Sequence, residues 1–183
     1  MIDYKIISNS IDYYENNKFK RIESPWTVSE YVDSITKPNH IPSFQLKHNN
    51  KCLVASGEQS FLYLYLKEFL PKGQFQTTTP CFRFESFDYT HTKYFIKNEL
   101  IKTDLVNINE LDKITNICFD FFKQYIPEIE VIKTDIGYDI EYKGKELGSY
   151  GIRENEYLKW IYATGCAEPR LSKIINLYKN GLS

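Results

Sequence analysis

The chain has 183 residues, of which 42% are hydrophobic, enough for one domain with a closed core. Its 23 basic and 24 acidic residues leave a formal charge of -1, which excludes an overall field drawing it to nucleic acid or an anionic membrane, though not a local basic groove. No apolar run approaches membrane-spanning length, and the amino terminus MIDYKIISNS lacks the basic-then-apolar order of a signal peptide, so the expected location is the cytoplasm, with no membrane partner.

After a polar start, SPWTVSEYVDSIT predicts a short helix with Ser24 as its cap and Pro25 at its first position. It puts Val28, Tyr31 and Val32 on one face and ends before Pro38. The run KCLVASG predicts a strand ended by Gly57, and GEQSFLYLYLKEFLPKG a helix stopped by Pro71 and Gly73. QFQTTTPCFRFESF and TKYFIKNELIKTD read as two long strands joined by a loop at SFDYTHT. NINELDKITNICFDFFKQYI is an amphipathic helix capped by Asn107 or Asn109, because Leu111, Ile114, Ile117, Cys118, Phe121 and Phe122 recur every three or four residues. EIEVIKTD and YDIEYKGKELGSYG predict further strands, with Gly144 allowing a tight turn, and a last helix runs from about Pro169 through Leu177. This order predicts an α+β domain over 1–183 on a mainly antiparallel sheet, with 1–42 as an amino-terminal helical region.

Three places set charge against this pattern. Arg83 and Glu85 stand two apart on a strand and so share a face; if Phe82 and Phe84 face the core, both charges project from the other side. In YDIEYKGKELGSYGIR, carboxylates brought together across a hairpin form an oxygen-rich site suited to Mg²⁺ when phosphates complete the ligand set; turn and edge chemistry is the plainer reading of Asp139 and Glu146. In YATGCAEPRLSKII, small residues permit close approach, and Arg170 beside a helix start suits an anion, or a carboxylate at the rim of the core. The four cysteines carry no metal-binding spacing and read as buried thiols, and no spacing pairs the histidines with a nucleophile. There is no GxxxxGK(S/T) or GxGxxG, so a nucleotide would need another scaffold.

Taken in order over about residues 45–178, these segments resemble the catalytic core of class II aminoacyl-tRNA synthetases, an antiparallel sheet flanked by helices. CFRFE resembles the second signature, with Arg83 and Glu85. HTKYFIKNE resembles its continuation, keeping His91, Phe95 and Glu99 but carrying Tyr94 in place of a glutamate. The run from Tyr138 to Arg153 resembles the aspartyl and asparaginyl branch. ATGCAEPR resembles the third signature, keeping Gly165 and Arg170, with Ala163 and Ala167 replacing the outer glycines. The first signature, the family's dimer element, is poorly matched; the stretch from Trp26 to Pro42 stands in its place.

The resemblance implies ATP- and Mg²⁺-dependent activation of an amino acid to its adenylate. It gives Arg83 the α-phosphate and the attacking carboxylate, His91 and Arg170 the γ-phosphate, and Phe95 and Arg170 the two faces of adenine. Glu85 would read the base, and Asp139 and Glu146 would hold the metal. The substrate pocket would use Ser56, Glu58 and Gln59, with Glu58 taking the ammonium, and Arg153 taking an acidic or amide side chain; helix capping is the plainer reading of Ser56 and Gln59. The resemblance also implies a homodimer. The acceptor stays open between a tRNA end, a carrier protein and a small amine or other nucleophile, and the 183 residues leave no room for an anticodon-binding domain. A nucleotide- or amino-acid-binding paralogue that regulates a partner is the alternative reading, and a structural or RNA-binding module the third.

Overall fold

The computed structural model describes residues 1–38, 40–84, 89–90 and 92–181. In chain order the elements are α1 (Tyr4–Asn16), β1 (Lys20–Arg21), β2 (Thr27–Ser29), α2 (Glu30–Thr36), β3 (Lys51–Leu53), α3 (Gly57–Leu66), β4 (Gln74–Phe82), β5 (Tyr94–Lys102), α4 (Ile108–Lys123), β6 (Glu130–Thr134), β7 (Gly137–Tyr142), β8 (Lys145–Glu154), β9 (Lys159–Glu168) and α5 (Arg170–Lys179). Seven strands form one sheet in the order β1-β4-β5-β9-β8-β7-β6, antiparallel except for the parallel β1–β4 edge; β2 and β3 make a separate two-stranded sheet.

The sheet is covered on both faces. On one, α1, α4 and α5 pack Ile6, Tyr14, Leu111, Phe121, Phe122 and Ile174 against Leu100, Ile140, Tyr150, Ile161 and Ala163. On the other, α2, α3 and the small sheet cover Phe75, Ile101, Trp160 and Tyr162 with Val28, Val32, Phe61 and Leu62. Ile161 and Ala163 thus point one way from β9, and Trp160 and Tyr162 the other, the period of two that a pleated strand imposes.

The structure departs from the sequence reading at three elements. The helix expected from Ser24 begins at Glu30: Ser29 is its cap, Thr27–Ser29 is strand, and the Ser24 hydroxyl pairs with that of Thr77 at 2.8 Å. The polar start contains α1, whose Asp3 carboxylate accepts from the amides of Lys5 and Ile6, a cap worth about 1 kcal/mol. Lys159–Glu168, read only as a patch of small residues before the last helix, is β9, the central strand. Phe82 and Phe84 also do not enter the core: Phe84 is exposed and stacks on Phe44 with ring centroids 4.0 Å apart. The expected cap Asn107 starts α4, and Lys143 and Gly144, both at positive φ, make the tight turn from β7 to β8.

Gly165 lies where α1 crosses β9. A Cβ there would stand 2.8 Å from Cε2 of Tyr14 and 3.0 Å from the Asn98 carbonyl oxygen, and the buried Tyr14 hydroxyl donates to the Gly165 carbonyl at 2.8 Å. The close approach that the small residue permits is therefore made by a helix of the protein's own core. We expect Gly165→Ala to cost about 1–3 kcal/mol through overpacking, read as a lower urea midpoint; an unchanged midpoint would mean that α1 is not seated on β9.

Candidate functional site

Beyond the edge of α3, the second face of the sheet opens into a cleft of about 300 Å³. Its floor comes from alternate residues of β5, Phe95, Lys97 and Glu99, and from Thr164 and Ala167 of β9. Arg83 borders it just past the end of β4. Glu146, Ser149 and Arg153 enter from β8, Arg170 from the start of α5, and Ser56, Glu58 and Gln59 from the start of α3. The segment after α2, including Ile41, Pro42 and Ser43, makes one wall.

Among the described residues, the three shortest ion pairs along this cleft are those of Arg170, Arg153 and Lys97. Arg170 Nη1 meets Glu146 Oε1 at 2.5 Å, Arg153 Nη1 meets Glu58 Oε2 at 2.6 Å, and Lys97 Nζ meets Glu99 Oε2 at 2.8 Å. The last two glutamates are almost fully buried, and an unpaired charge at that depth would be heavily penalised. Glu58 also accepts from Trp160 Nε1 at 2.6 Å, so both its oxygens are engaged, and Glu99 accepts from the Ser56 hydroxyl at 3.0 Å. Burial nevertheless pushes the Glu58 carboxyl up, with the charge of Glu99 adding to the effect and Arg153 opposing it.

Arg83 is anchored by its Nε, which donates to the Ala55 carbonyl at 2.8 Å, and its guanidinium sits 5.1 Å from the centre of the Phe95 ring. Cys81, Phe95 and Ala167 form a small apolar cluster beneath it. Ala55 is held in turn, because its amide donates to Gln59 Oε1 while Gln59 Nε2 donates to the Asp33 carbonyl and carboxylate. Gln59 thus spends its amide on the fold. Ser56 has two tasks: its hydroxyl oxygen accepts from the Glu58 amide as the α3 cap, and its proton goes to Glu99.

The structure therefore brings Arg83, Phe95, Glu146, Arg153, Arg170, Ser56, Glu58 and Gln59 to one cleft. Glu85 and His91, assigned to the base and the γ-phosphate, lie outside the described residues. Asp139 is on β7 opposite Ser149 and is not among the cleft-lining residues. Its carboxyl is pushed up by burial, with Ser149 opposing the shift and the charge of Glu146 adding to it. Among the described residues no three His, Cys, Asp or Glu side chains are grouped to hold a metal ion. Asp139 and Glu146, expected to hold a cation, are both hard oxygen donors of the kind such an ion takes, but Glu146 is paired with Arg170 and Asp139 stands outside the cleft lining.

Several residues that line or support the cleft were not assigned from the sequence as part of the site, among them Lys97, Tyr162 and Asp33 in its lining and Trp160 behind Glu58. Lys97 follows Phe95 by two and so shares its face, the reasoning that joined Arg83 to Glu85 and a signal that could have found it. Trp160 and Tyr162 were hidden with β9, and nothing local marks Asp33 as buried.

No family model matches the sequence, and no curated protein matches it. Solved structures do match. Pyrrolysyl-tRNA synthetase from Desulfitobacterium hafniense aligns with a TM-score of 0.73 at 15% identity, over 98% of this chain and 70% of that one. The cytoplasmic serine-tRNA ligase of Naegleria fowleri, in complex with AMP, aligns at 0.69 and 13%, over 94% of this chain and 47% of that one. Seryl-tRNA synthetase of Pyrococcus horikoshii, complexed with ATP, aligns at 0.68 and 15%, over 94% of this chain and 49% of that one. The chain thus has the α+β fold of class II aminoacyl-tRNA synthetases, and it spans about half the length of these two seryl enzymes. The likeness does not single out the aspartyl and asparaginyl branch.

Glu58 gives this site a pH signature. A carboxyl whose folded value is raised stabilises the fold fully below its unfolded value, and that contribution is lost as pH rises through the folded one. Stability of the wild type should therefore fall more steeply than that of Glu58→Gln as pH climbs through the window just above glutamate's ordinary 4.5. Urea midpoints across that window measure this, and parallel profiles would show that Glu58 is not held above its ordinary value.

Proposed function

We propose that the cleft activates an amino acid with ATP and Mg²⁺. The carboxylate of the amino acid attacks the α-phosphorus in line, the bond to the β-phosphate oxygen breaks, pyrophosphate leaves and an aminoacyl-adenylate remains. The observation that carries this reading is the convergence of Arg83, Phe95, Glu146 and Arg170, drawn from four separate segments, on one concavity. The synthetase-like fold, found also in chains crystallised with AMP and with ATP, supports it.

In this reading Arg83 moves off the Phe95 ring to bridge the α-phosphate and the incoming carboxylate, and stabilises the charge that builds on the equatorial oxygens. Adenine stacks on Phe95, with Arg170 on its other face and reaching the γ-phosphate together with His91, while Glu85 reads the base. The phosphates would compete with Glu146 for Arg170, and Glu146, once freed, would with Asp139 hold the cation. Mg²⁺ held there would neutralise phosphate charge. Ser56 and Gln59 shape the amino-acid end from α3, where Glu58 and Arg153 border it. The adenylate then passes to a nucleophile, whether a tRNA end, a carrier thiol or an amine.

We place this activity in the cytoplasm. Four free, buried cysteines fit a reducing compartment, and no helix among the described residues is long and apolar enough to cross a membrane. A homodimer pairing through 1–42 belongs to the same proposal; Trp26 and Tyr31 are exposed there. A second reading, a nucleotide-binding regulator without catalysis, draws on the fact that two cleft arginines are already matched by cleft glutamates.

Amino acid-dependent exchange of pyrophosphate into ATP tests the proposal. Exchange should appear with at least one amino acid, and Arg83→Ala should reduce it by about 10²-fold or more while changing ATP affinity less. Tight ATP binding without exchange would favour the regulator, and no ATP binding at all would end both readings.

A further inference from the structure

Arg153 was expected to attract an acidic or amide side chain, but its nearest partner is a carboxylate of the chain itself. Arg153 Nη1 lies 2.6 Å from Glu58 Oε2, and its guanidinium is stacked 4.3 Å from the centre of the Tyr162 ring. Glu58 cannot swing away freely, because its other oxygen accepts from Trp160 Nε1 at 2.6 Å and it is 4% exposed. Facing it are Arg153, Lys97 and Glu99, so these three groups and Glu58 itself sum to zero charge. A side-chain carboxylate entering here would add an uncompensated negative charge beside two buried glutamates, whereas a neutral side chain would leave the balance intact.

A second observation points to what the ligand offers instead. The Tyr162 hydroxyl is buried and makes no hydrogen bond of standard geometry among the described residues, the Ser149 side chain being near enough only to act on it weakly. Tyr162 is 6% exposed and lines the cleft. The Gly151 backbone packs close against this hydroxyl, since a Cβ there would stand 2.7 Å from it and 2.7 Å from the Ile136 carbonyl oxygen. A buried hydroxyl left unpaired is costly, and a ligand group able to donate or accept would relieve it.

We infer that Glu58, by closing on Arg153, sets the amino-acid subsite to take an uncharged hydrogen-bonding side chain, an amide or a hydroxyl, and to exclude a carboxylate. Glu58 is then a specificity-determining residue. This inference rests on the adenylate-forming reading and adds the class of substrate to it. Selectivity of this kind comes from a group placed against the wrong ligand as much as from contacts to the right one.

Non-hydrolysable sulfamoyl-adenosine mimics of the adenylate test it by calorimetry, with asparaginyl, seryl, aspartyl and leucyl forms compared against adenosine sulfamate alone. Asparaginyl and aspartyl forms have nearly the same shape, so their ratio isolates charge. The wild type should bind the asparaginyl or seryl form at least tenfold more tightly than the aspartyl and leucyl forms. In Glu58→Gln the asparaginyl-to-aspartyl ratio should fall at least tenfold, because Arg153 loses its competing carboxylate while the amide still accepts from Trp160. Aspartyl binding equal to asparaginyl in the wild type, a preference for leucyl, or an unchanged ratio in the folded variant would overturn the inference. If the variant does not fold, the wild-type ratio alone decides. Binding of adenosine sulfamate without side-chain selectivity would sink the role of Glu58 and spare the adenylate reading; failure of every mimic to bind would sink both.

Discussion

A carboxylate withdrawn from water must find compensating charge or lose its own, and the cleft of this protein is organised around that demand. Glu58 and Glu99 are 4% and 1% exposed, at a depth where an isolated charge would be neutralised rather than tolerated. Each is held by a cation from within the same cleft, Arg153 for one and Lys97 for the other. These pairs add little net stability, because desolvation consumes most of what attraction returns. What they do supply is position. Arg153 is clamped between a carboxylate and the Tyr162 ring, and Lys97 lies along its own strand against Glu99.

Position of this quality needs a rigid floor, and β9 supplies it. All but the first of its ten residues are buried, with core on one side and cleft on the other. Side chains turned one way, Ile161, Ala163 and Cys166, lock α1, α4 and α5 against the sheet. Those turned the other way, Trp160, Tyr162 and Thr164, hold Glu58, stack under Arg153 and line the cleft.

Nearly every charge in the cleft has a partner in the protein itself, and a ligand must therefore exchange with those partners rather than fill an empty site. In the proposed reading a phosphate would compete with Glu146 for Arg170, and an amino-acid side chain would meet Arg153 only in the company of Glu58. Fold likeness to synthetases at 13–15% identity leaves such details open, because the same sheet can hold different side chains at its mouth.

Much of this was legible in the sequence. The 3.6-residue period of α4 and the alternation of β4, β5, β7 and β8 are local, whereas the expectation that Arg83, Glu146 and Arg170 belong together came from the family resemblance. Three misreadings share one cause. The strand β9 is buried on both faces and so shows no alternation, α1 places Ser10 in its apolar stripe, and Phe82 and Phe84 pack on a loop phenylalanine instead of the core. In each, the deciding neighbour is remote in the chain. The sequence by itself determined the class of fold, the element types with clear periods and the stock of charged residues available. Only the tertiary structure decided which charge meets which, because Glu58 and Arg153 are 95 residues apart and their pairing depends on how β8 and α3 pack about β9. Coulomb attraction has no memory of sequence separation, only of distance and of how much water lies between.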